Sequence, residues 1–310
     1  MINVLAFAGA SNWPLWAATE RGYFAAEGLD VHWSVTPNSR EMAAALFDGR
    51  CQIALTAIDN VVAYVEGQGE ALLDGDADFF AFMGVDDGML SIMARPEVES
   101  VADLRGREAS VDAMTTGFAF ALRDMLSRCG LSEGDVSYVR VGGGAERLAA
   151  LREGRQAVTL LNAPLDLMAI DAGCRRLVRA RDILGAYQGV VGAARRSWAN
   201  AHEAETIGFI RAFHRAIAWL IAPSNRDDAI SLLLARMKGA TPALGEKAYE
   251  RLLVAEDGIR RDLAIDRAGV ATVLALRSRY GQPTKQLEDP ARYMDDRFRA
   301  AALAPTAARI

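Results

Sequence analysis

The residues of this sequence that could bind or transform a small molecule are concentrated in short polar stretches, each following an apolar, β-rich run. The stretches are residues 9–13, 36–39, 56–59, 112–116, 141–144 and 162–164. In an open parallel sheet the ligand crevice lies beyond the carboxyl ends of the strands, where loops present side chains and helix N-termini present free N–H groups. The spacing therefore predicts a binding site assembled from these loops.

The first stretch contains an amide next to a large aromatic side chain. Asn12 and Trp13 together suit a heterocyclic ligand, because the amide can hydrogen-bond its edge while the indole offers a flat apolar surface. The alternative is a simple turn followed by a buried indole.

Other loops contain carboxylates and hydroxyls with more than one interpretation. Asp59, Asp112 and Asp257 could act as acid–base groups in an enzyme, although a solvated carboxylate is the simpler interpretation of each. Ser39 and Thr116 could be ligand contacts, helix N-caps or both.

Catalytic and metal-binding motifs are absent from the sequence. It has no G-x-S-x-G, H-E-x-x-H or G-x-x-x-x-G-K-[ST] motif, and the glycine run at residues 142–144 fits neither a dinucleotide fingerprint nor a P-loop. The three histidines and three cysteines lack metal-ligand spacing, and the cysteines lie in or beside apolar segments. We therefore expect binding rather than catalysis, with no cofactor, no metal and no disulfide framework.

Composition and charge narrow the class of partner. The chain of 310 residues has 51% hydrophobic side chains and a formal net charge of −5, with no basic stripe or polybasic tail. Nucleic acid and anionic membranes are poor partners for such a surface. No apolar run reaches the roughly 18 residues that a membrane helix needs, and residues 1–13 do not resemble a secretory signal. The chain is expected to be either cytoplasmic or a periplasmic protein whose signal has been removed.

The order of predicted elements indicates two similar α/β lobes. Strand and helix patterns alternate from residue 3 to 84, and a second series of the same kind begins near Met89. The segment AALFDGRCQIAL at residues 44–55 is written again as AALREGRQAVTL at residues 149–160. After Gly192 the pattern is mostly helical, and these helices are expected to pack on the first lobe. We predict a discontinuous first lobe (residues 1–86 and 190–310) and a second lobe (residues 87–189), joined by a two-strand hinge.

Several segments resemble type II periplasmic substrate-binding proteins of ABC importers. The resemblance is to the NMT1/THI5-like branch for nitrate, taurine and other sulfonates, and thiamin-pyrimidine precursors. It is carried by PLWAATERGYFAAEGLDVHW, ALFDGRCQIAL, SVADLRGREASVD, ALREGRQAVTLLNAP, YQGVV and DPARYMDDRF, which span nearly the whole chain. The family implies two hinged α/β lobes that clamp a ligand for delivery to an ABC permease, and we expect a monomer.

The resemblance also implies which residues contact the ligand. Together with Asp112 from the loop pattern, the expected contacts are Asn12, Trp13, Ser39, Thr56, Asp59, Met114, Thr115, Thr116, Asn162 and Tyr187. The loops hold aspartates and almost no arginine except Arg40, which favours a neutral or partly cationic heterocycle over a sulfonate. Helix N-termini can hold an anion without arginine, so this preference is weak.

Two other functions use the same fold class. A cytoplasmic enzyme of thiamin-pyrimidine-like or aromatic-acid metabolism is the alternative, although the cysteine-rich iron-binding run of the pyrimidine synthases is missing. The effector domain of a transcription regulator is less favoured, because no helix-turn-helix segment precedes the first strand.

Overall fold

The protein folds around two five-stranded sheets. The computed structural model describes residues 1–36, 38–237, 239–255 and 258–305 of the chain. We call each sheet with the helices between its strands a lobe, the first lobe containing the N-terminus.

The first sheet has the strand order β2-β1-β3-β10-β4. Its strands are β1 (Ile2–Phe7), β2 (Val31–Thr36), β3 (Ile53–Ala57), β4 (Phe79–Gly84) and β10 (Val190–Arg195). Strand β1 pairs in parallel with β2 and β3, whereas β10 pairs antiparallel with β3 and β4. The strand–helix alternation of the sequence therefore forms a mainly parallel sheet, with one antiparallel strand inserted.

The second sheet repeats this plan with the order β7-β6-β8-β5-β9. Its strands are β5 (Leu90–Ala94), β6 (Arg107–Val111), β7 (Val136–Arg140), β8 (Val158–Asn162) and β9 (Arg175–Arg179). Strand β6 is parallel to β7 and β8, and β5 is antiparallel to β8 and β9. In each lobe the antiparallel strand adjoins a crossing of the chain between the sheets.

Helices connect the strands of each lobe. In the first lobe they are α1 (Trp13–Glu20), α2 (Tyr23–Ala26), α3 (Ser39–Phe47) and α4 (Ile58–Val65). In the second they are α5 (Gly117–Arg128), α6 (Gly144–Arg152), α7 (Leu165–Asp171) and α8 (Ala180–Leu184). The helix pattern at residues 14–28 is split into α1 and α2 because Gly22 adopts a left-handed conformation with φ of 67°.

The repeated sequence segment corresponds to a repeated structural unit. Residues 44–55 run from α3 into β3, and residues 149–160 run from α6 into β8. Gly49 and Gly154 both have φ of 75°, so each ends its helix in the left-handed region that favours glycine. The two lobes therefore use the same helix-to-strand turn at the same place in the sheet.

The C-terminal part of the chain is helical. Its helices are α9 (Arg196–Ala201), α10 (Glu203–Ile221), α11 (Arg226–Arg236), α12 (Pro242–Tyr249), α13 (Arg267–Tyr280) and α14 (Arg297–Leu303), with a π-helical turn at Glu250–Val254. Helix α10 packs on α1 and α2, and α14 packs on β4. Helix α12 also contacts α7 of the second lobe, and α13 lies against both α4 and α5.

The chain crosses between the sheets twice, after β4 and before β10. The two crossing segments are hydrogen-bonded to each other: the Val85 N–H donates to the Val190 carbonyl at 2.8 Å, and the Gly189 N–H donates to the Asp86 carbonyl at 3.1 Å. We propose that the first lobe comprises residues 1–86 and 190–310 and that the second lobe comprises residues 87–189.

Two large hydrophobic clusters stabilise the molecule. One lies between the first sheet and the C-terminal helices and contains Trp13, Phe82 and Phe209. The other contains residues from both sheets, among them Ala54 of β3 and Val111 of β6. Within the described ranges, no helix is both long and apolar enough to cross a membrane.

Candidate functional site

The carboxyl end of β3 in the first lobe meets the carboxyl end of β6 in the second. Asp59 lies in the first turn of α4, directly after β3, and Gly117 is the first residue of α5, which follows β6. An Asp59 Oδ2 atom accepts a hydrogen bond of 2.9 Å from the Gly117 N–H. Segments that follow a strand of each lobe are therefore in direct contact at this pair.

Arg277 of α13 completes this contact. Its Nε donates to Asp59 Oδ1 at 2.6 Å and its Nη2 donates to Asp59 Oδ2 at 2.5 Å, which is the two-pronged geometry of a strong guanidinium–carboxylate pair. The Arg277 and Asp59 residues are 1% and 3% exposed. Such a pair is tolerated in the interior only when its remaining donors also find acceptors.

Both terminal nitrogens of Arg277 also donate to backbone carbonyls. Nη1 donates to the Gln68 carbonyl at 3.2 Å, and Nη2 donates to the Thr115 carbonyl of the second lobe, also at 3.2 Å. The guanidinium carbon lies 5.0 Å from the ring centroid of Phe120 in α5, within the range of a cation–π contact. Arg277 thus binds both lobes at once.

Thr115 and Thr116 lie in the loop between β6 and α5. The Thr116 hydroxyl donates to Asp112 Oδ1 at 2.6 Å and accepts from the Ala119 N–H, so the predicted N-cap role of Thr116 is confirmed. The Thr115 hydroxyl donates to Glu70, which follows α4 in the first lobe. Glu70 also forms an ion pair with Arg140 at 3.7 Å, so a second set of contacts joins the lobes.

A second buried arginine lies at the carboxyl ends of the second sheet. Arg147 of α6 donates to the carbonyls of Gly142 and Leu160, at 3.2 and 2.5 Å, and among the described residues no carboxylate lies within ion-pair distance of it. Burial lowers the pKa of this guanidinium, and the charges of Asp112 and Glu146 oppose the shift.

Tyr187 and Asp86 belong to the hinge. Burial raises the pKa of the Tyr187 phenol, and the nearby carboxylates of Asp59, Asp112 and Asp86 raise it further. Asp86 Oδ1 accepts from the N–H groups of Gly88 and Val190 at 2.8 and 3.0 Å, and Oδ2 accepts from the Ser11 hydroxyl at 2.6 Å. One carboxyl group therefore binds both crossing segments and the turn that follows β1.

Asn12 and Trp13 are both buried, and each donates a hydrogen bond within the protein. Trp13 is fully buried in the cluster between the first sheet and the C-terminal helices, and its indole N–H donates to the Ala229 carbonyl at 3.1 Å. The Asn12 amide donates to the Phe7 carbonyl at 2.6 Å. The alternative of a turn followed by a buried indole describes this conformation, and Trp13 offers no surface to a ligand.

The remaining predicted site residues have less direct roles in the structure. Ser39 is not the N-cap of α3, because Asn38 Oδ1 accepts the capping hydrogen bond from the Glu41 N–H. The Ser39 hydroxyl instead accepts a hydrogen bond of 3.4 Å from Tyr64. Thr56 is buried, and its hydroxyl accepts a hydrogen bond from Asn60. Asn162 is half-buried at the end of β8, and Met114 is exposed. Asp257 lies outside the described residues.

Sequence reasoning missed Arg277, Arg147 and Glu70. The two arginines lie on helices rather than in loops after strands, and Arg277 is 218 residues from its partner Asp59. A signal did exist for Arg277: it continues the buried stripe of Val270, Val273 and Leu274 on α13, a position where an arginine must have a buried partner.

A cavity of about 310 Å³ lies beside the hinge. Its lining includes Asp87, Met89, Leu90, Arg179, Tyr187 and Asp266. This volume is at the lower end of the range for small-molecule sites. In the part of the chain that the structure describes, no group of three or more potential ligands could hold a metal ion.

Similar structures share this two-lobed fold. The ligand-binding component of an ABC-type import system from Staphylococcus aureus, solved with zinc bound, has a TM-score of 0.76 and 14% identity, covering 97% of this chain and 98% of that one. The alkanesulfonate-binding protein SsuA from Xanthomonas axonopodis pv. citri bound to MOPS has a TM-score of 0.75 and 17% identity, with coverages of 95% and 98%. The fold class predicted from the sequence is therefore confirmed.

An enzyme also has this fold. The desulfurization enzyme DSZB has a TM-score of 0.67 and 14% identity, covering 98% of this chain and 99% of that one. The shared fold alone therefore does not separate binding from catalysis.

The sequence comparisons identify the family. No curated protein sequence matches the chain. A family model described as NMT1/THI5 like matches residues 10–226, more than two thirds of the chain, as the sequence resemblance predicted. The chain belongs to the NMT1/THI5-like family.

Proposed function

We propose that the protein is a solute-binding protein that clamps a small polar or heteroaromatic ligand between its two lobes. The observation that carries the proposal is the contact between Asp59 and Gly117, which brings strand ends of both sheets together. Ligand sites of open α/β sheets lie at such ends. The similarity to the import-system component and to the alkanesulfonate-binding protein supports this function.

We retain as proposed ligand contacts the predicted residues other than Asn12 and Trp13, whose side chains donate to the carbonyls of Phe7 and Ala229. They are Ser39, Thr56, Asp59, Asp112, Met114, Thr115, Thr116, Asn162 and Tyr187. Arg277 adds a positive charge at this site, but Asp59 neutralises it within the same pair of side chains. This pair therefore leaves the preference for a neutral or partly cationic heterocycle unchanged, whereas Arg147, which among the described residues donates only to backbone carbonyls, would favour an anion.

The test is a thermal-shift screen with pyrimidines, sulfonates, nitrate and aromatic acids. A ligand that binds only the folded state raises the melting temperature by mass action. The shift is expected to be lost in Asn162→Ala and retained in Asn200→Ala, which removes an exposed amide of α9. A panel in which no compound shifts the wild-type transition contradicts the proposal.

The proposed partner is an ABC permease, and the proposed location is the periplasm, with the protein acting as a monomer. The cytoplasm is the alternative location. A signal segment upstream in the coding sequence and neighbouring permease and ATPase genes would support import. Biosynthetic neighbours without transport genes would favour the alternative.

A cytoplasmic enzyme is the second candidate, and the similarity to DSZB supports it. Of the proposed acid–base groups, Asp59 is committed to Arg277 and Gly117, and Asp112 accepts a hydrogen bond from Thr116. Both oxygens of Asp59 are therefore already occupied by hydrogen bonds from the protein itself, which favours binding over catalysis. Mass spectrometry of each compound that shifts the transition separates the two functions, because an enzyme converts it and a binding protein returns it unchanged.

A further inference from the structure

The Asp59 carboxylate occupies a position of the kind that a bound anion takes in other proteins. It receives two guanidinium hydrogen bonds from Arg277 and one from the first N–H of α5, a helix of 12 residues. A helix N-terminus and an arginine together form a favourable anion site. Here the anion is a side chain from the opposite lobe.

We propose that Asp59 is a built-in anion that holds the two lobes together without a ligand. The carboxylate comes from the first lobe, the helix N-terminus from the second, and the guanidinium from α13. All three groups are buried, so water screens their attraction little. Separating the lobes would leave the Gly117 N–H and the Thr115 carbonyl without these partners.

The chain is shaped for this contact. A Cβ atom on Gly117 would lie 2.2 Å from the Asp59 carboxyl carbon, so only glycine allows the carboxylate to reach the helix end. A second contact lies two residues further along α13, where Arg279 donates to Asp124 of α5 at 2.8 Å. Helix α13 therefore carries two arginines that bind carboxylates at the junction of the lobes.

This arrangement has two consequences for any solute. A solute that enters only when the lobes are apart has a lower apparent affinity, because only the open fraction of the molecules can bind it. A negatively charged solute group also finds the N-terminus of α5 already filled. The inference rests on the contact between the lobes and on no particular ligand, so it can fail while the proposed solute binding stands.

The first experiment is Gly117→Ala, measured by small-angle X-ray scattering of the ligand-free protein. Alanine has a higher helix propensity than glycine, so α5 itself is expected to be retained. The added methyl group excludes Asp59, and the radius of gyration is expected to increase relative to the wild type. Gly134→Ala is the matched control, because a Cβ there meets nothing within 4 Å. An unchanged radius of gyration in Gly117→Ala would overturn the proposal.

The second experiment replaces the built-in anion by a free one. Asp59→Ala removes the carboxylate and leaves Arg277 facing a space that formate or acetate fits. The variant is expected to melt several degrees below the wild type, and sodium formate is expected to restore at least half of this loss. Sodium chloride controls for ionic strength, and Asp59→Asn, whose side chain still fills the space, is expected not to respond. Equal effects of formate and chloride on Asp59→Ala would count against the proposal, whatever the outcome of the ligand screen.

Discussion

At the scale of single residues, buried polar side chains join segments that are far apart in the sequence. Asp59, Asp86 and Arg277 are almost entirely buried, and each binds groups from separate segments of the chain. A buried charge without partners has a high free energy, so each of these residues fixes the relative position of the segments that it binds. The sequence identified Asp59 as a residue that follows a strand, but it did not identify what Asp59 binds.

Asp86→Ala is expected to destabilise the protein by roughly 2–4 kcal/mol, since each unsatisfied buried donor costs about 1–3 kcal/mol. The lost acceptor serves the N–H groups of Gly88 and Val190. Asp86→Asn is the control, because its amide oxygen can accept these bonds while its NH₂ group donates to Ser11. Urea unfolding at neutral pH measures both variants, and equal losses in the two would contradict the assignment.

The same residue predicts a pH dependence. Burial raises the pKa of the Asp86 carboxyl above its ordinary 3.8, although hydrogen bonds from Ser11, Val190 and Gly88 oppose the shift. The folded state therefore holds this proton more tightly than the unfolded state, and the contribution of Asp86 to stability falls as the pH rises from 3.8 through the folded pKa. Asp86→Asn is expected to remove this component from a plot of unfolding free energy against pH.

The residue scale also shows the limit of sequence reasoning. Trp13 is of the residue type expected to contact a ligand, but α1 begins at Trp13 and its indole lies in the core. Arg277 is separated from Asp59 by most of the chain, and only the packing of α13 between α4 and α5 brings the two together. Local patterns cannot specify such pairs, because they depend on how distant elements pack.

At the scale of elements, the sequence predicted the structure more accurately than at the scale of single residues. Strands and helices of both lobes follow the predicted order, since periodicity and glycine positions determine them locally. The antiparallel insertion of β10 and β5 was not predicted. Apolar runs such as VVGAA look alike in either strand direction, and direction follows from the crossings of the chain.

Thr116→Ala is expected to cost about 1 kcal/mol, the usual value for loss of an N-cap side chain. The Thr116 hydroxyl caps α5 through the Ala119 N–H and also holds Asp112 at 2.6 Å. Thr116→Ser retains both contacts and should be nearly neutral in thermal unfolding. If serine destabilises the protein as much as alanine, the hydroxyl is not the stabilising group.

The segment after α13 is anchored to α4 by a buried carboxylate. Glu66 accepts hydrogen bonds from Lys285 at 3.0 Å and from Tyr293 at 2.9 Å, and pairs with Arg292 at 2.9 Å. Burial raises the pKa of Glu66, but these hydrogen bonds and charges outweigh burial and hold the pKa below 4.5. The anchoring therefore stabilises the fold above that pH and weakens as the pH falls through the folded pKa.

Glu66→Gln is expected to lower stability by roughly 2 kcal/mol at neutral pH, in line with the loss of hydrogen bonds to a charged group. The difference from the wild type should shrink as the pH falls below 4.5. Denaturant unfolding at a series of pH values measures this, with the exposed Glu99→Gln as control. A difference that stays constant down to low pH would exclude an ionised Glu66 as the anchor.

At the scale of the whole molecule, the hinge is where the two lobes depend on close approach of the backbone. A Cβ on Gly189 would lie 2.1 Å from Asp86 Oδ1 and 2.3 Å from the Gly88 nitrogen, so the crossing segments would have to separate. Gly189→Ala is expected to cost about 1–3 kcal/mol, the typical cost of overpacking. Gly9→Ala, where a Cβ meets nothing within 4 Å, is the control in calorimetry. Equal melting temperatures of the two variants would show that the crossings are looser than the structure indicates.

The position of β10 determines the order in which the lobes can form during synthesis. Strand β10 lies between β3 and β4, yet it is made only after all five strands of the other sheet. The emerging chain can therefore complete the second sheet from the continuous residues 90–179 while the first still lacks an inner strand. Domains generally fold as units as they leave the ribosome. Strands β1 to β4 therefore remain an incomplete sheet, with the edges of β3 and β4 unpaired, until β10 has been synthesised.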